Sequence, residues 1–197
     1  MPARPKHRDA IVDSAIKLFR LRGYSATGLN DIVDESRAPK GSLYHYFPKG
    51  KASIAEAAVT VASRRIGEAM TRLSEQNTSA AGLVRAWGEL LAKWMAGSNF
   101  RAGSPVTTTL LELAPDELAV TKAGRKAFAN WRRIVSDKLV GDGVTAAQAD
   151  RLAALVIASF EGGLIQCRVE ARPDILLTIA RELESLLGTV GTSVRKA

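Results

Sequence analysis

The stretch TGLNDIVDESRAPKGSLYHYFPKGK, from Thr27 to Lys51, constrains the fold most, because it has the pattern of two short helices joined by a tight turn. Leu29 and Ile32 recur at helical spacing and predict a first helix with one buried face, with Thr27 placed to cap its first turn. A break that ends at Pro39 follows, and a proline suits the start of the next helix, where its missing N–H group needs no partner. The sequence therefore predicts a helix-turn-helix.

The second helix of this pair, about Lys40 to Phe47, has too little apolar surface to be a packing helix. Leu43 and Phe47 are its only clear inward positions. The residues left on the outside are Lys40, Gly41, Ser42, Tyr44, His45 and Tyr46. Their concentration on one short helix indicates a polar partner. A surface hairpin with no nucleic acid would explain any one of these residues but not the group.

The DNA major groove is the partner that best matches these side chains. Lys40 can reach guanine acceptors, Ser42 can reach base edges or phosphates, and the tyrosines and the histidine can reach phosphates. Gly41 lets the backbone approach the duplex closely. With the flanking positions included, the residues predicted to contact DNA are Thr27, Arg37, Lys40, Gly41, Ser42, Tyr44, His45, Tyr46, Lys49 and Lys51.

These residues also carry a resemblance to a known family. The run GYSATGLNDIVDES, followed by APKGSLYHYFPKGK, resembles the helix-turn-helix domain of TetR-family transcriptional regulators, most closely the LmrA- and QacR-like branch of multidrug-type repressors. The resemblance covers about the first third of the chain. It implies an all-α fold with a DNA-binding domain at 1–50, a connecting helix at 51–75 and a ligand-binding and dimerisation domain at 76–197. It also implies a ligand-released repressor that binds a double-stranded operator as a homodimer.

Three positions depart from the family pattern. Arg37 stands where a turn glycine is usual, Val33 where alanine is usual, and Lys49 where this branch often has another glycine. If the turn needs a positive φ at position 37, arginine costs about 1 kcal/mol or more relative to glycine. Arg37 and Lys49 would also each bring a cation to the DNA backbone, which predicts tighter and more salt-sensitive binding.

The positive charge of the chain is concentrated on the same region. The net charge is +8, and residues 1–65 carry 12 Lys or Arg against 6 Asp or Glu. An anionic partner requires such a distribution, although a basic surface alone fits a membrane or RNA equally well. The N-terminal arm, with Arg4, Lys6 and His7, would follow a phosphate backbone or remain a solvated tail. Tyr24 is either a phosphate contact, as the resemblance implies, or a core residue.

The composition argues against several other classes of protein. One cysteine excludes an internal disulfide framework, and two histidines with one cysteine cannot form a conventional metal cluster. No phosphate-binding glycine loop occurs, so we expect no enzyme activity, no cofactor and no metal. The N-terminus lacks the apolar core of a signal peptide and no apolar run approaches a membrane span, so we expect a cytoplasmic protein with no membrane partner. A nonspecific DNA-compacting protein and an activator remain alternatives.

The last two long helices of the pattern have more apolar surface than one subunit needs. Small residues on them would let the backbone of a partner approach closely, which predicts a two-fold dimer. The residues predicted at its interface are Ser159, Gly162, Gly163, Ile179, Leu183 and Leu186. Close packing within one chain is the alternative for the small residues.

An aromatic cluster in the second part of the chain predicts a pocket for a flat, apolar effector. Its residues are Trp87, Trp94, Phe100, Thr107, Phe128, Trp131, Phe160 and Cys167. Simple core packing is the alternative for each aromatic taken alone, and Cys167 suits a small buried hydrophobe better than a redox switch. An effector that prefers another spacing of the two recognition helices would lower DNA affinity and so induce expression.

Overall fold

The structure is a computed structural model that describes the backbone of residues 6–194 and the side-chain surroundings of residues 7–190. Within residues 6–194 every regular element is an α-helix, so the all-α expectation is confirmed. The helices are α1 (Lys6–Arg22), α2 (Leu29–Ser36), α3 (Lys40–Tyr46), α4 (Lys51–Gln76), α5 (Ala80–Gly97), α6 (Thr107–Leu113), α7 (Leu118–Gly141), α8 (Ala146–Glu170) and α9 (Asp174–Val194). Arg4 and the side chain of Lys6, which were predicted to follow a phosphate backbone or to form a solvated tail, lie outside the described residues.

Contacts between the helices divide the chain into two compact units. The first unit combines the described residues up to 64 with residues 104–127, and the second combines residues 65–103 with the described residues from 128 onward. Helices α4 and α7 contribute residues to both units. The sequence-based boundaries placed everything after residue 75 in one domain, whereas α6 and the first turns of α7 belong to the same unit as the helix-turn-helix.

The core of the first unit is built on α1. Its apolar stripe, formed by Ile11, Ala15, Leu18 and Phe19, is buried, as expected for an amphipathic helix. This helix packs against α2, α3 and α6. Gly23 follows α1 in the left-handed region, with φ at +85°, and so turns the chain toward α2.

The second unit is held together by α5, α8 and α9, which pack against one another. Two glycines allow these helices to approach closely. A Cβ atom added to Gly88 of α5 would lie 2.5 Å from the Cβ atom of Ala180 of α9, and one added to Gly163 of α8 would lie 2.6 Å from Cδ1 of Ile179 of α9. Carbon atoms do not approach so closely without displacement, so the packing of the three helices depends on these two glycines.

Helix α8 corrects the expectation that no segment approaches a membrane span. It has 25 residues and an apolar stretch with a mean hydropathy of 1.5, of which only 39% is buried, so by length and composition it could cross a bilayer. The core helix of a water-soluble protein passes the same test. This apolar stretch is not obvious in the sequence, because glycines, alanines and polar residues stand between its larger apolar side chains.

Candidate DNA-binding surface

The start of α2 differs from the prediction. Gly28 is its N-cap residue, and the N–H group of Gly28 donates to Asp31 Oδ2 at 2.7 Å. Thr27 is fully buried, and its hydroxyl donates to the carbonyl oxygen of Gly23 at 2.7 Å. The prediction of Thr27 as a helix cap and a DNA contact is therefore wrong, because its hydroxyl holds the turn between α1 and α2. A threonine just before a helix is typical of both roles, and only the fold separates them.

The turn between α2 and α3 has a positive φ at position 37, the strained conformation that was considered from the sequence. Arg37 is the C-cap residue of α2, with φ at 53° and ψ at 22°, and its side chain is exposed. Ser36 supports the turn, since its hydroxyl donates to the Val33 carbonyl oxygen at 3.0 Å and accepts from the N–H group of Ala38 at 3.3 Å. The left-handed region costs an arginine about 1 kcal/mol relative to glycine. The turn therefore presents a cation at the expense of some stability.

Helix α3 is anchored by two side chains and exposes most of the others. Leu43 and Phe47 are buried, as predicted. Lys40, Gly41, Tyr44 and His45 are exposed, whereas Ser42 and Tyr46 are half-buried. The His45 and Tyr46 rings meet edge-on with their centroids 5.0 Å apart, and Tyr44 is 50% exposed. The outer face of α3 is thus a continuous polar and aromatic surface.

Gly41 has no packing role within the described chain. A Cβ atom added to it would meet nothing within 4 Å. A glycine inside a helix costs about 1 kcal/mol relative to alanine, and here no neighbouring group requires it. The close approach of an external partner to Gly41 therefore stays a prediction.

The cations beyond α3 are not equivalent. Lys49 is exposed, but Lys51 is half-buried and its Nζ atom lies 4.1 Å from the centroid of the Tyr24 ring. Burial lowers the pKa of Lys51, and the carboxylates of Glu112 and Asp31 oppose this effect. Arg8, which sequence reasoning did not select, lies with its guanidinium carbon 5.6 Å from the centroid of the Phe47 ring. No local pattern predicts this contact, because 39 positions separate the two residues.

A carboxylate on α6 completes the surroundings of the helix-turn-helix. Glu112 accepts hydrogen bonds from the N–H groups of Tyr24 and Ser25 at 2.6 and 2.7 Å. Burial raises the pKa of Glu112, but the hydrogen bonds from Ser25 and Tyr24 and the charge of Lys51 outweigh it, so that the pKa lies below its ordinary value. Burial and the charges of Glu117 and Glu112 raise the pKa of Tyr24. Sequence reasoning missed Glu112, because nothing in a single sequence relates it to a turn almost 90 positions earlier.

The predicted dimer residues lie in different surroundings. Gly163 and Leu183 are buried inside the subunit. Side chains of α9 occupy the space beside Gly163, so this glycine serves close packing within one chain, the alternative to a dimer contact. Ser159, Gly162 and Ile179 are half-buried, and Leu186 is exposed. A Cβ atom added to Gly162 would meet nothing within 4 Å. Of the two adjacent glycines, only Gly162 is therefore open to a partner.

The predicted pocket residues are divided between the two units. Thr107 belongs to the first, and the other predicted pocket residues belong to the second. Trp87 and Trp94 meet edge-on at 5.7 Å between ring centroids, and Phe128 and Trp131 do so at 5.4 Å. The buried members are Trp87, Trp131, Phe160 and Cys167, the half-buried ones are Phe100, Thr107 and Phe128, and Trp94 is exposed. Burial, followed by the charges of Glu170 and Asp174, raises the pKa of Cys167, which disfavours the reactive thiolate.

The second unit also contains a groove that is separate from the predicted aromatic pocket. It has a volume of about 620 Å³ and is lined by Arg85, Glu89, Asp174, Leu177, Ala180, Arg181 and Glu184. None of the predicted pocket residues lines this groove. Among the described residues no group of three or more His, Cys, Asp or Glu side chains is placed to hold a metal ion.

Comparison with known proteins covers nearly the whole chain. Residues 11–58 match the family described as bacterial regulatory proteins, tetR family. Residues 80–182 match the family described as transcriptional regulator LmrA/YxaF-like, C-terminal domain. The uncharacterized HTH-type transcriptional regulator YxaF of Bacillus subtilis is 31% identical over 191 residues, which cover 97% of this chain and all of YxaF.

Solved structures share the fold at low sequence identity. A cysteine mutant of the TetR-family regulator CifR, in complex with a 26-base-pair double-stranded operator DNA, has a TM-score of 0.77 at 20% identity, covering 94% of this chain and 98% of CifR. FadR of Bacillus subtilis, in complex with stearoyl-CoA, has a TM-score of 0.70 at 16% identity, covering 91% of this chain and 96% of FadR. With both family matches and a full-length relative at 31% identity, the chain belongs to the TetR family of DNA-binding transcriptional regulators, in its LmrA/YxaF-like branch.

Proposed function

We propose that the chain is a cytoplasmic homodimeric repressor that binds a palindromic operator through α3 and leaves it when a small apolar ligand binds. The observation that carries the proposal is the outer face of α3. A helix of seven residues, held by the buried side chain of Leu43 and by that of its C-cap residue Phe47, contributes little to the fold by itself. Its exposed lysine, glycine, tyrosine and histidine gain a role only from a partner outside the subunit.

The chemistry of α3 fits the edge of a base pair and the adjacent phosphates. Lys40 at the start of the helix supplies donors for guanine O6 and N7, and Ser42 supplies a hydroxyl for a base edge or a phosphate. Tyr44, Tyr46 and His45 supply phosphate contacts. Arg37 and Lys49 flank the helix as exposed cations. CifR, which shares the fold, was solved on a 26-base-pair operator, and this supports a duplex of comparable kind as the partner.

We propose a smaller part in DNA contact for Lys51 than its sequence position predicts. Its ammonium group is in contact with the Tyr24 ring and is attracted by Glu112. A phosphate contact by Lys51 would have to compete with these interactions. We therefore assign the larger part of the backbone contact to Arg37 and Lys49.

The exposed apolar face of α8 supports a dimer. Leu155, Ile165 and Val169 are 47%, 55% and 80% exposed, and together with Gly162 they repeat at intervals that place them along one side of the helix. Leu186 of α9 is also exposed. A second copy that covers this face would bury the apolar side chains and use the open space at Gly162. Such a dimer would read two half-sites about 34 Å apart.

A membrane is the other partner that the composition of α8 allows. A helix that crosses a bilayer exposes apolar residues all round, whereas α8 buries Val156, Phe160 and Leu164 within its own unit. Family membership also favours a partner subunit, because the relatives are named as transcriptional regulators. We therefore assign the exposed face to the dimer.

The aromatic residues of the second unit supply the proposed effector site. Trp94 is the member best placed to meet a ligand, because it is exposed and lies edge-on against the buried Trp87. The low polarity of these side chains favours a flat or aliphatic apolar molecule. FadR, which shares the fold, was solved with stearoyl-CoA, and this supports an effector with a large apolar part.

A competition assay tests the proposed function. The wild-type protein is bound to a labelled palindrome from the DNA upstream of its own gene and challenged with unlabelled random DNA. A sequence-reading repressor prefers the palindrome by at least about a thousandfold. Equal competition by random DNA would instead support the nonspecific DNA-compacting protein that the positive charge alone would allow.

A further inference from the structure

One carboxylate holds the turn between α1 and α2 from outside the helix-turn-helix. Both oxygens of Glu112 are used, one by the N–H group of Tyr24 at 2.6 Å and the other by that of Ser25 at 2.7 Å. Hydrogen bonds to an ionised carboxylate are stronger than bonds between neutral groups, and two of them fix an orientation as well as a distance. The turn is therefore attached to α6 in one defined geometry.

The local sequence is adapted to this attachment. Gly23 has φ at +85°, and a Cβ atom at this position would overlap Oε1 of Glu112. On the other side of the turn the Thr27 hydroxyl donates to the Gly23 carbonyl oxygen at 2.7 Å. A side chain at position 23 would displace the carboxylate, so the glycine meets both the conformational and the steric requirement.

The start of α4 contacts one of the residues that this carboxylate holds. Lys51, the first residue of α4, has its Nζ atom 4.1 Å from the centroid of the Tyr24 ring and is attracted by the charge of Glu112. The α1–α2 turn precedes α2 and α3 in the chain, and the start of α4 follows them. Glu112 thus holds the segment before the DNA-reading pair directly, the Tyr24 ring links that segment to the start of α4, and all of these residues belong to the first unit.

We infer that Glu112 is a positioning residue for DNA binding, because its carboxylate fixes the α1–α2 turn, from which α2 and α3 follow and whose Tyr24 ring contacts the start of α4. The inference rests on the proposed DNA-binding surface. Without the carboxylate the turn samples more conformations, and DNA then selects the competent fraction at a cost in affinity. Charge alone predicts the opposite sign, since loss of a negative group near a DNA-binding surface strengthens the attraction to phosphates.

The test compares Glu112→Ala and Glu112→Gln with the matched control Glu117→Gln. The charge of Glu117 also acts on Tyr24, but among the described residues its side chain makes no hydrogen bond with the turn. Affinity is measured against salt on the palindrome that the wild-type protein selects. Amide hydrogen exchange at Tyr24 and Ser25 is followed in the protein without DNA, and thermal unfolding checks that each variant is folded.

We expect Glu112→Ala to lower operator affinity roughly 2- to 10-fold with an unchanged salt slope, because an exposed carboxylate makes the two bonds that are lost. Glu112→Gln should lose less, because its amide oxygen still accepts one of the two bonds. Exchange at Tyr24 and Ser25 should accelerate in both variants, whereas Glu117→Gln should leave exchange unchanged and affinity unchanged or higher. An affinity of Glu112→Ala equal to or above that of the wild type, or unchanged exchange at both amides in either variant, would overturn the inference.

The two proposals fail in different ways. If the wild-type protein selects no DNA sequence, the proposed function fails. The exchange measurement needs no DNA, so it still decides whether Glu112 holds the turn.

Discussion

Gly163 of α8 lies so close to Ile179 of α9 that a single added methyl group would overlap it, since a Cβ atom at position 163 would be 2.6 Å from Ile179 Cδ1. The neighbouring Gly162 has nothing within 4 Å of the same added atom. Two adjacent glycines in one helix therefore have different roles. One is required by packing within the subunit, and the other faces an open surface.

This difference predicts opposite effects on stability. Gly163→Ala should destabilise the subunit by about 1 kcal/mol or more, because the ends of the Ile179 and Leu176 side chains must move in a packed interface. Gly162→Ala should stabilise the isolated subunit by up to about 1 kcal/mol through helix propensity. Urea unfolding of both variants at a protein concentration that favours the monomer measures the difference. Equal destabilisation by the two changes would contradict the assigned contacts. Weaker self-association of Gly162→Ala at higher concentration would support the proposed dimer face.

Gly41→Ala should separate stability from DNA binding. The added methyl group meets nothing within the subunit, so the variant should be more stable by up to about 1 kcal/mol. The same methyl group should lower operator affinity if the backbone of α3 approaches the duplex. Thermal unfolding and fluorescence anisotropy with labelled operator measure the two effects. The control is Gly97→Ala at the end of α5, where the added methyl group also has nothing within 4 Å. Undiminished affinity of Gly41→Ala would remove position 41 from the interface.

Arg37→Gly should affect stability and salt dependence at once. Glycine relieves the left-handed strain at φ 53°, which should stabilise the fold by about 1 kcal/mol. Loss of one phosphate contact should reduce the slope of log affinity against log salt by about 0.9. The measurement is operator affinity at several salt concentrations. Arg132→Ala, which removes an exposed arginine from α7, serves as the charge control and should leave the slope unchanged. A slope that is the same in Arg37→Gly and the wild type would show that Arg37 touches no phosphate.

Trp94→Ala should abolish the response to an effector while sparing DNA binding. Trp94 is 38% exposed, so its loss costs the fold little more than the edge-on contact with Trp87. Trp131→Ala is a poorer test, because this side chain is buried and its truncation costs about 3–5 kcal/mol. The measurement is release of labelled operator by an effector found in a metabolite screen. A normal response in Trp94→Ala would assign this tryptophan to packing alone.

Acid should weaken the contact between Glu112 and the α1–α2 turn. The pKa of Glu112 is lowered in the folded state from its ordinary value of 4.5, so the carboxylate contributes stability above that pH and loses it as the pH falls through the folded pKa. Tyr24 and Ser25 exchange should therefore accelerate at low pH, after correction for intrinsic rates, in the wild type but not further in Glu112→Gln. Exchange that accelerates equally in both proteins would point to acid unfolding unrelated to this carboxylate.

Local sequence patterns predicted the parts of the site that depend on local structure. Leu43 and Phe47 are buried because helical spacing puts them on one face, and Arg37 adopts a positive φ because a tight turn there requires it. The hydrogen bond of Thr27 and the ring contact of Lys51 were not predicted, because the Gly23 carbonyl oxygen and the Tyr24 ring approach these side chains only after the chain folds.

Long-range packing explains the remaining differences. Glu112 meets the α1–α2 turn across almost 90 positions, and a single sequence contains no signal for such a pair. Gly162 and Gly163 are equivalent by composition, and only the course of α9 distinguishes them. The exposed leucine, isoleucine and valine of α8 have the spacing of a buried stripe, so only the packed structure shows that they are exposed.

Selection of bound oligonucleotides from a random pool measures whether α3 reads base edges, and whether it does so twice in each assembly. The purified wild-type protein should enrich a palindrome whose half-sites are centred one helical turn apart, about 10 base pairs, or a multiple of it. A Lys40→Ala and Ser42→Ala double variant should lose this enrichment while it still binds DNA weakly. A bound pool with no shared symmetric motif, or the same motif from the double variant, would show that α3 does not read the operator as a symmetric pair.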